Sequence, residues 1–286
     1  MNINLYVNSF INADSFKSLF SRLKEEGKNL GVNINVITNT DNLVSTFDFD
    51  SSSYSAIFWD KDYYLAKDME NLGVRLFNKA DSIRICDDKG LTHLALKGKV
   101  PMPKTILCPK SYPSFTGLDY SYVDKVIEEL KLPLIIKQSF GSFGKEVYLL
   151  NTREEVFNKV KELGAKPFIF QEFISSSYGK DVRIYLVGKK CVGAILRTAK
   201  DGFVANITSG GHAEEFSLPE DFKQIAEKAA EILDLDFCGV DILFGKDGPL
   251  LCEVNSNAHF KGFESATGKN VAKEIINHVK LNAKQI

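Results

Sequence analysis

The chain of 286 residues is short of paired cysteines, net charge and long apolar runs, and each shortage closes off a class of protein. Its five cysteines (Cys86, Cys108, Cys191, Cys238 and Cys252) are odd in number, far apart and without a CxxC pair. That pattern argues against a disulfide framework or a Cys/His zinc site. The apolar flanks in "DFCGV" and "LLCEV" fit reduced, buried thiols. Lys plus Arg (36) nearly balances Asp plus Glu (37), which leaves no electrostatic footprint for nucleic acid or an anionic membrane. No apolar run approaches the roughly 18 residues of a membrane span, and "MNINLYVNSF" lacks the basic-then-apolar order of a secretory signal. A cytoplasmic protein is expected, with no nucleic-acid or membrane partner. There is no internal repeat, and no Gly-rich dinucleotide fingerprint follows the first apolar segment, which argues against a nicotinamide site.

What is present is an alternation of short apolar strands and amphipathic helices. "INLYVN" (3–8), "VNINVIT" (32–38), "YSAIFWD" (54–60) and "VRLFN" (74–78) read as strands, with helices at 14–31 and near 62–72 between them. Strands separated by helices predict a parallel sheet covered on its faces. A helix near 88–98 and a proline-rich connector (99–113) lead into hairpins from 133 onward. Thr152 with Glu155, and Ser217 with Glu220, have capping-box spacing and predict two further helices. A last helix is expected from about 268.

The segment "GVDILFGKDGPLLCEVNSN" (239–257) places acids and amides in an apolar hairpin. A three-residue loop, "KDG", with Gly248 in the left-handed region pairs Gly245 with Pro249. Counting back, Asp241 faces Glu253, and Asn255 lies on the same face. Facing carboxylates repel in an apolar setting, and no Lys or Arg stands in the facing positions of the hairpin. A bound cation would reverse the sign, and oxygen-only donors suit Mg²⁺ shared with phosphate. In "LIIKQSFGSFGKEVYL" (134–149), Lys137 precedes Gly141, Ser142, Phe143 and Gly144. Small residues let backbone amides approach phosphate, and a lysine adds a point charge. This is not a P-loop, because no Gly-Lys-Ser/Thr opens a helix.

Taken in order, "CDDKGLTHLAL", Lys137 with "GSFG", "QEFISSSYGKDVRIYLVGKK", "AILR", "GVDIL" and "CEVN" with "TG" at 267–268 resemble the ATP-grasp superfamily. The resemblance covers about 86–286 and is greatest to the branch of ribosomal protein S6 α-L-glutamate ligases (RimK-like) and LysW-type ligases. It implies a mixed α/β fold in three parts: a Rossmann-like pre-ATP-grasp domain (1–85), a central lid (86–170) and a C-terminal subdomain with the metal site (171–286). By position it gives Lys89, Lys137, Gly141, Ser142 and Gly144 to the nucleotide phosphates. Glu172, Phe173 and Ile174 would line adenine, and Lys180 and Asp181 would contact adenine or ribose. Asn206 belongs to the same nucleotide set, Asp241, Glu253 and Asn255 would hold magnesium, and Arg197 would be catalytic, stabilising the acyl phosphate and tetrahedral adduct.

The implied reaction is ATP-dependent joining of a carboxylate (amino acid, peptide or protein C-terminus) to an amine, giving an amide, ADP and phosphate. Two Mg²⁺ ions are implied, with Mn²⁺ able to substitute, and a homo-oligomer is open. An ATP-grasp phosphotransferase and a non-catalytic nucleotide-binding protein are the alternatives. Three departures bear on substrate. Val204 and Ser209 stand where relatives often carry arginines, and "SNAHF" replaces "SPGL" after Asn255, placing His259 and Phe260 where substrate should lie. Loss of arginines suited to a carboxylate predicts that glutamate is not the preferred amine.

Overall fold

The computed structural model describes residues 1–11, 13–45, 55–112, 119–141, 144, 146–205 and 210–283. The first sheet contains β1 (Asn2–Val7), β2 (Asn33–Thr38), β3 (Ser55–Trp59) and β4 (Arg75–Phe77), with α1 (Asp14–Asn29) and α2 (Tyr63–Asn71) between strands. All its pairings are parallel, in the order β2-β1-β3-β4. β3 is buried along its whole length, as a central strand covered on both faces requires. Two short helices, α3 (Ala80–Asp87) and α4 (Lys89–Leu96), lead out of this sheet. Asp88 caps α4 by accepting from the amides of Gly90 at 2.8 Å and Leu91 at 3.3 Å.

A second sheet runs β5-β8-β6-β7, from β5 (Thr105–Leu107), β6 (Leu134–Gln138), β7 (Val147–Leu150) and β8 (Phe168–Glu172). Helices α5 (Tyr122–Leu130) and α6 (Arg153–Leu163) supply its core through Val123, Val126, Val156 and Val160. Half of the capping box of α6 is formed: the Thr152 hydroxyl accepts from the Glu155 amide, while the Glu155 carboxylate accepts from the Asn151 amide at 2.7 Å, one residue before the N-cap. α5 lies outside the segments marked in the sequence; with only nine residues it shows little more than two turns of periodicity.

The third sheet is antiparallel, β11-β10-β9-β12-β13. It is built from β9 (Lys180–Val187), β10 (Lys190–Thr198), β11 (His212–Glu215), β12 (Phe237–Gly245) and β13 (Gly248–Asn255). α7 (Glu220–Ile232), α8 (Lys261–Thr267) and α9 (Val271–Asn282) pack around it. The second expected capping box is not formed. Pro219, which already holds an extended backbone, is the N-cap of α7, so Ser217 lies too far upstream and no side chain caps that end.

The first and third sheets share one core, in which Trp59 stacks on Phe237 with ring centroids 5.0 Å apart. Beside it Arg75 grips the Asp236 carboxylate at 2.7 and 2.9 Å. The buried Asn78 amide donates to the carbonyls of Phe237 and Ser256. These contacts fix the carboxyl ends of β1 and β3 beside the loop that follows β13.

Candidate active site

A cavity of about 390 Å³ is lined by residues of all three sheets. Its floor is the β12–β13 hairpin, and that hairpin is built differently from the sequence expectation. The turn is shorter: Gly245 pairs with Gly248 and Phe244 with Pro249, leaving Lys246 and Asp247 as the loop. A β-bulge at Cys252 then inserts one residue, and Asp241 faces Glu253 after all. The expected acid pair is correct because a turn one residue shorter and a bulge one residue longer cancel.

The cation that faces Asp241 is part of the chain. β9 lies on the other side of β12 and pairs Arg183 with Asp241. Arg183 grips that carboxylate with two hydrogen bonds of 2.6 Å, and Arg197 of β10 approaches it at 2.9 Å. Arg197 in turn clamps Asp181 with two bonds of 2.7 Å. The premise that no Arg stands opposite the acids is therefore corrected: it considered the hairpin alone, whereas the arginines come from neighbouring strands. Burial alone would raise the Asp241 pKa, but Arg183 and Arg197 hold it below the ordinary aspartate value. Burial, opposed by Arg197 and aided by Asp241, leaves Asp181 above its ordinary value. Asp181 thus uses both oxygens to position Arg197, and it lines the cavity as well. The Arg197 Nη1 group has no partner among the described residues, and Arg197 lines the cavity.

Two lysines reach the other side of the hairpin. Lys89, at the start of α4, lies 3.5 Å from the Glu253 carboxylate and donates to the Gly141 carbonyl at 3.3 Å. Lys137, near the end of β6, is buried with its ammonium 3.3 Å from the Cys252 sulfur. Burial opposes the charge on Lys137, and Cys252, Glu253 and Asp241 outweigh it, so its pKa lies above the ordinary lysine value. Gly144 has φ +71°, a left-handed conformation that favours glycine, and an added Cβ would meet Val204 at 2.8 Å. Ser142, Asn206 and Ser209 lie outside the described residues.

The oxygen donors fit a hard divalent ion in part. Glu253 is about one-third exposed with a single loose contact, and the Asn255 amide nitrogen is buried without a partner. Asp241 would have to share oxygens already held by two arginines. Among the described residues no three His, Cys, Asp or Glu side chains cluster to enclose an ion. Such an ion would need oxygens from a phosphate ligand to complete its shell, as magnesium commonly does. Six basic and six acidic side chains line the cavity, so its described lining offers no net charge against a polyphosphate.

Comparison with known proteins places this arrangement in a family. A family model described as the RimK-like ATP-grasp domain matches residues 86–279. The chain belongs to the RimK-like ATP-grasp family. It is 34% identical over 217 residues to human N-acetylaspartylglutamate synthase A, a match covering 74% of this chain and 54% of that protein. It is 36% identical over 224 residues to a probable α-L-glutamate ligase of Legionella pneumophila, covering 76% of this chain and 71% of that protein. The chain spans about half the length of the first curated relatives it matches. Among solved structures, a RimK-domain ATP-grasp protein of Sphaerobacter thermophilus superposes with TM-score 0.73. That match has 19% identity and covers 97% of this chain and 99% of the other. It includes the first sheet, which the family model does not reach.

In this RimK-like chain, Glu172, Phe173, Ile174 and Lys180 line the cavity, at the end of β8 and the start of β9. The Glu172 carboxylate is turned to the Lys104 amide, 2.6 Å away. Gly141, Gly144 and Val204 border the same space. His259 does too; burial, then the charges of Arg183 and Lys261, keep it below the ordinary histidine value, and its Nε2 is buried without a partner. Phe260 does not. It is fully buried in the shared core, edge-on to Trp59 at 5.8 Å, so it shapes packing rather than a substrate surface. Sequence reasoning missed Arg183, although the alternation "DVR" puts it on the same strand face as Asp181. It expected the N-terminal domain to border the substrates but named no site residue there, where Asn8, Ile11, Phe16, Asp60 and Lys61 line the cavity.

Proposed function

We propose that the protein is an ATP- and magnesium-dependent carboxylate–amine ligase. The observation that carries this reading is the convergence on one cavity of Lys89 and Lys137, the oxygen-bearing Glu253 and Asn255, and Arg197. A carboxylate oxygen of one substrate attacks the γ-phosphorus of ATP and ADP leaves. The nitrogen of the second substrate then attacks the acyl carbon, inorganic phosphate leaves and the nitrogen loses a proton. Negative charge gathers on the transferring oxygens in the first step and on the carbonyl oxygen in the second. Buried cations aimed at those positions are worth far more than in water.

Lys89 and Lys137 bind the phosphates, with Gly141 and Gly144 beside them. Asp181 and Asp241 hold Arg197 so that its remaining N–H groups meet the acyl oxygens without reorganisation. Glu253 and Asn255, with Asp241 sharing, hold magnesium (two ions, replaceable by manganese), which supplies Lewis-acid stabilisation of the phosphoryl group. Phe173 and Ile174 cover adenine. In domain terms, residues 1–85, 86–170 and 171–286 act as substrate wall, lid and metal-bearing floor.

The relatives include a probable α-L-glutamate ligase and an N-acetylaspartylglutamate synthase. Val204, apolar and lining the cavity, supports a neutral amine in place of glutamate. The test is ADP and phosphate release from the full chain with ATP, magnesium and paired carboxylates and amines, with products weighed by mass spectrometry. Phosphate release that requires both partners is the expected result. Phosphoryl transfer to a hydroxyl, or no turnover with any pair, would overturn the ligase reading, and clear preference for glutamate would overturn the substrate assignment alone.

A further inference from the structure

The first sheet contributes a carboxylate that the reaction above does not use. Asn8 and Asp60 directly follow β1 and β3, which pair in parallel through Val7 and Trp59. In the order β2-β1-β3-β4 the chain reverses direction across the sheet between β1 and β3. The crevice outside the carboxyl ends of strands at such a switch point is where open α/β sheets place their ligands. Both residues line the cavity there.

Asp60 is only 4% exposed, yet among the described residues its carboxylate receives neutral donors alone: the Asn8 amide at 3.1 and 3.3 Å and the backbone amides of Lys61, at 2.7 Å, and Asp62. The Lys61 ammonium is 2.5 Å from Asp87, and among the described residues Asp60 forms no ion pair. Burial holds Asp60 above the ordinary aspartate value, and Asp62 adds to that. Among the described residues no cation meets this buried carboxylate, which is held by hydrogen bonds and opens on a cavity. Across from it His259 packs edge-on against Phe16, ring centroids 4.3 Å apart, with its Nε2 unpartnered.

We propose that Asp60, oriented by Asn8, is a subsite for the protonated amino group of an amino-acid substrate. An ammonium supplies three donors and the missing positive charge, and Ile11 and Phe16 beside it accept an uncharged side chain. This assignment rests on the ligase reading and adds the class of substrate to it.

The test is titration of the full chain, holding magnesium and a non-hydrolysable ATP analogue, with the proteinogenic amino acids and their N-acetyl counterparts, read by calorimetry. At least one free amino acid binds, and N-acetylation weakens it by about tenfold or more, the usual scale for losing one partner of a buried charge pair. Asp60→Asn weakens the free form by a similar factor and leaves the N-acetyl form within about twofold. Asn8→Ala gives a smaller loss in the same direction and serves if Asp60→Asn does not fold. Binding of the analogue with no amino acid bound, or with N-acetyl forms bound equally well, overturns the subsite alone. A folded chain that binds neither the analogue nor any amino acid overturns the ligase reading with it.

Discussion

Asp241 and Asp60 are equally buried, at 4% exposure each, and line the same cavity from opposite sheets. Asp241 sits between two guanidinium groups that pull its pKa down, whereas Asp60 has amide donors only and is pushed up. Equal burial with opposite shifts shows that the neighbours, not depth, decide whether a buried carboxylate is settled. The third sheet completes its own charge balance through Arg183, Asp241, Arg197 and Asp181. The first sheet leaves a charge to be balanced by something that arrives.

The largest test of this contrast removes the charge of Asp241. Asp241→Asn leaves Arg183 and Arg197 short of a partner and should cost about 3–5 kcal/mol of stability, as breaking a buried ion pair typically does. Guanidinium unfolding at neutral pH measures it, and an unchanged midpoint would mean that Asp241 serves a metal alone. Next in size, Glu253→Gln should lower turnover by about a hundredfold through the loss of a hard anionic ligand. It should leave the unfolding midpoint in place, since Glu253 has only the 3.5 Å contact with Lys89. A loss of stability matching that of Asp241→Asn would erase the distinction between the two acids.

The smallest effect has the opposite sign. The raised pKa of Asp60 means that the folded state holds its proton more tightly than the unfolded state. Stability from this group is therefore full at low pH and is lost as pH rises from the ordinary aspartate value of 3.8 through the folded value. Asp60→Asn removes that penalty, so it should raise the melting temperature at neutral pH, with the gain shrinking as pH falls through the folded value and gone below the ordinary value. A destabilised Asp60→Asn at pH 7 would place Asp60 with Asp241 as a settled group. A native charge that costs stability and serves binding is the trade expected of a functional site.

What the sequence disclosed follows the range of the physics. Lys137 and the Asp241–Glu253 pair were legible because each lies in a local pattern, a strand end and a hairpin, whereas Lys89 came only from the family resemblance. Arg183 was not assigned, because its partner is 58 residues away in sequence and the pairing of β9 with β12 crosses a helix and two strands. Counting back from the two-residue turn between β9 and β10 would pair Arg197 with Lys180; a bulge between Cys191 and Gly193 shifts the register by one and brings Arg197 opposite Asp181. Phe260 was misread for the complementary reason. Its position after Asn255 suggested a site residue, but its burial depends on Trp59 from the first sheet, which no local pattern reveals. Asp60 and Asn8 needed the strand order, which becomes known only when the sheet is built.

The compensation inside the β12–β13 hairpin has a consequence for how this segment tolerates change in length. A two-residue turn with a bulge and a three-residue turn without one bring Asp241 opposite Glu253 alike. The tip can therefore exchange a residue with the bulge, or lose Cys252 outright, while the acid pair keeps its place. A one-residue slip normally sends every side chain of a strand to the other face; here the slip is absorbed between residues 242 and 252. Cys252 is the spare residue of this hairpin. Losing it would break the contact with Lys137 and spare the carboxylates, so the segment that carries the most exacting chemistry is also tolerant of a length change at its tip.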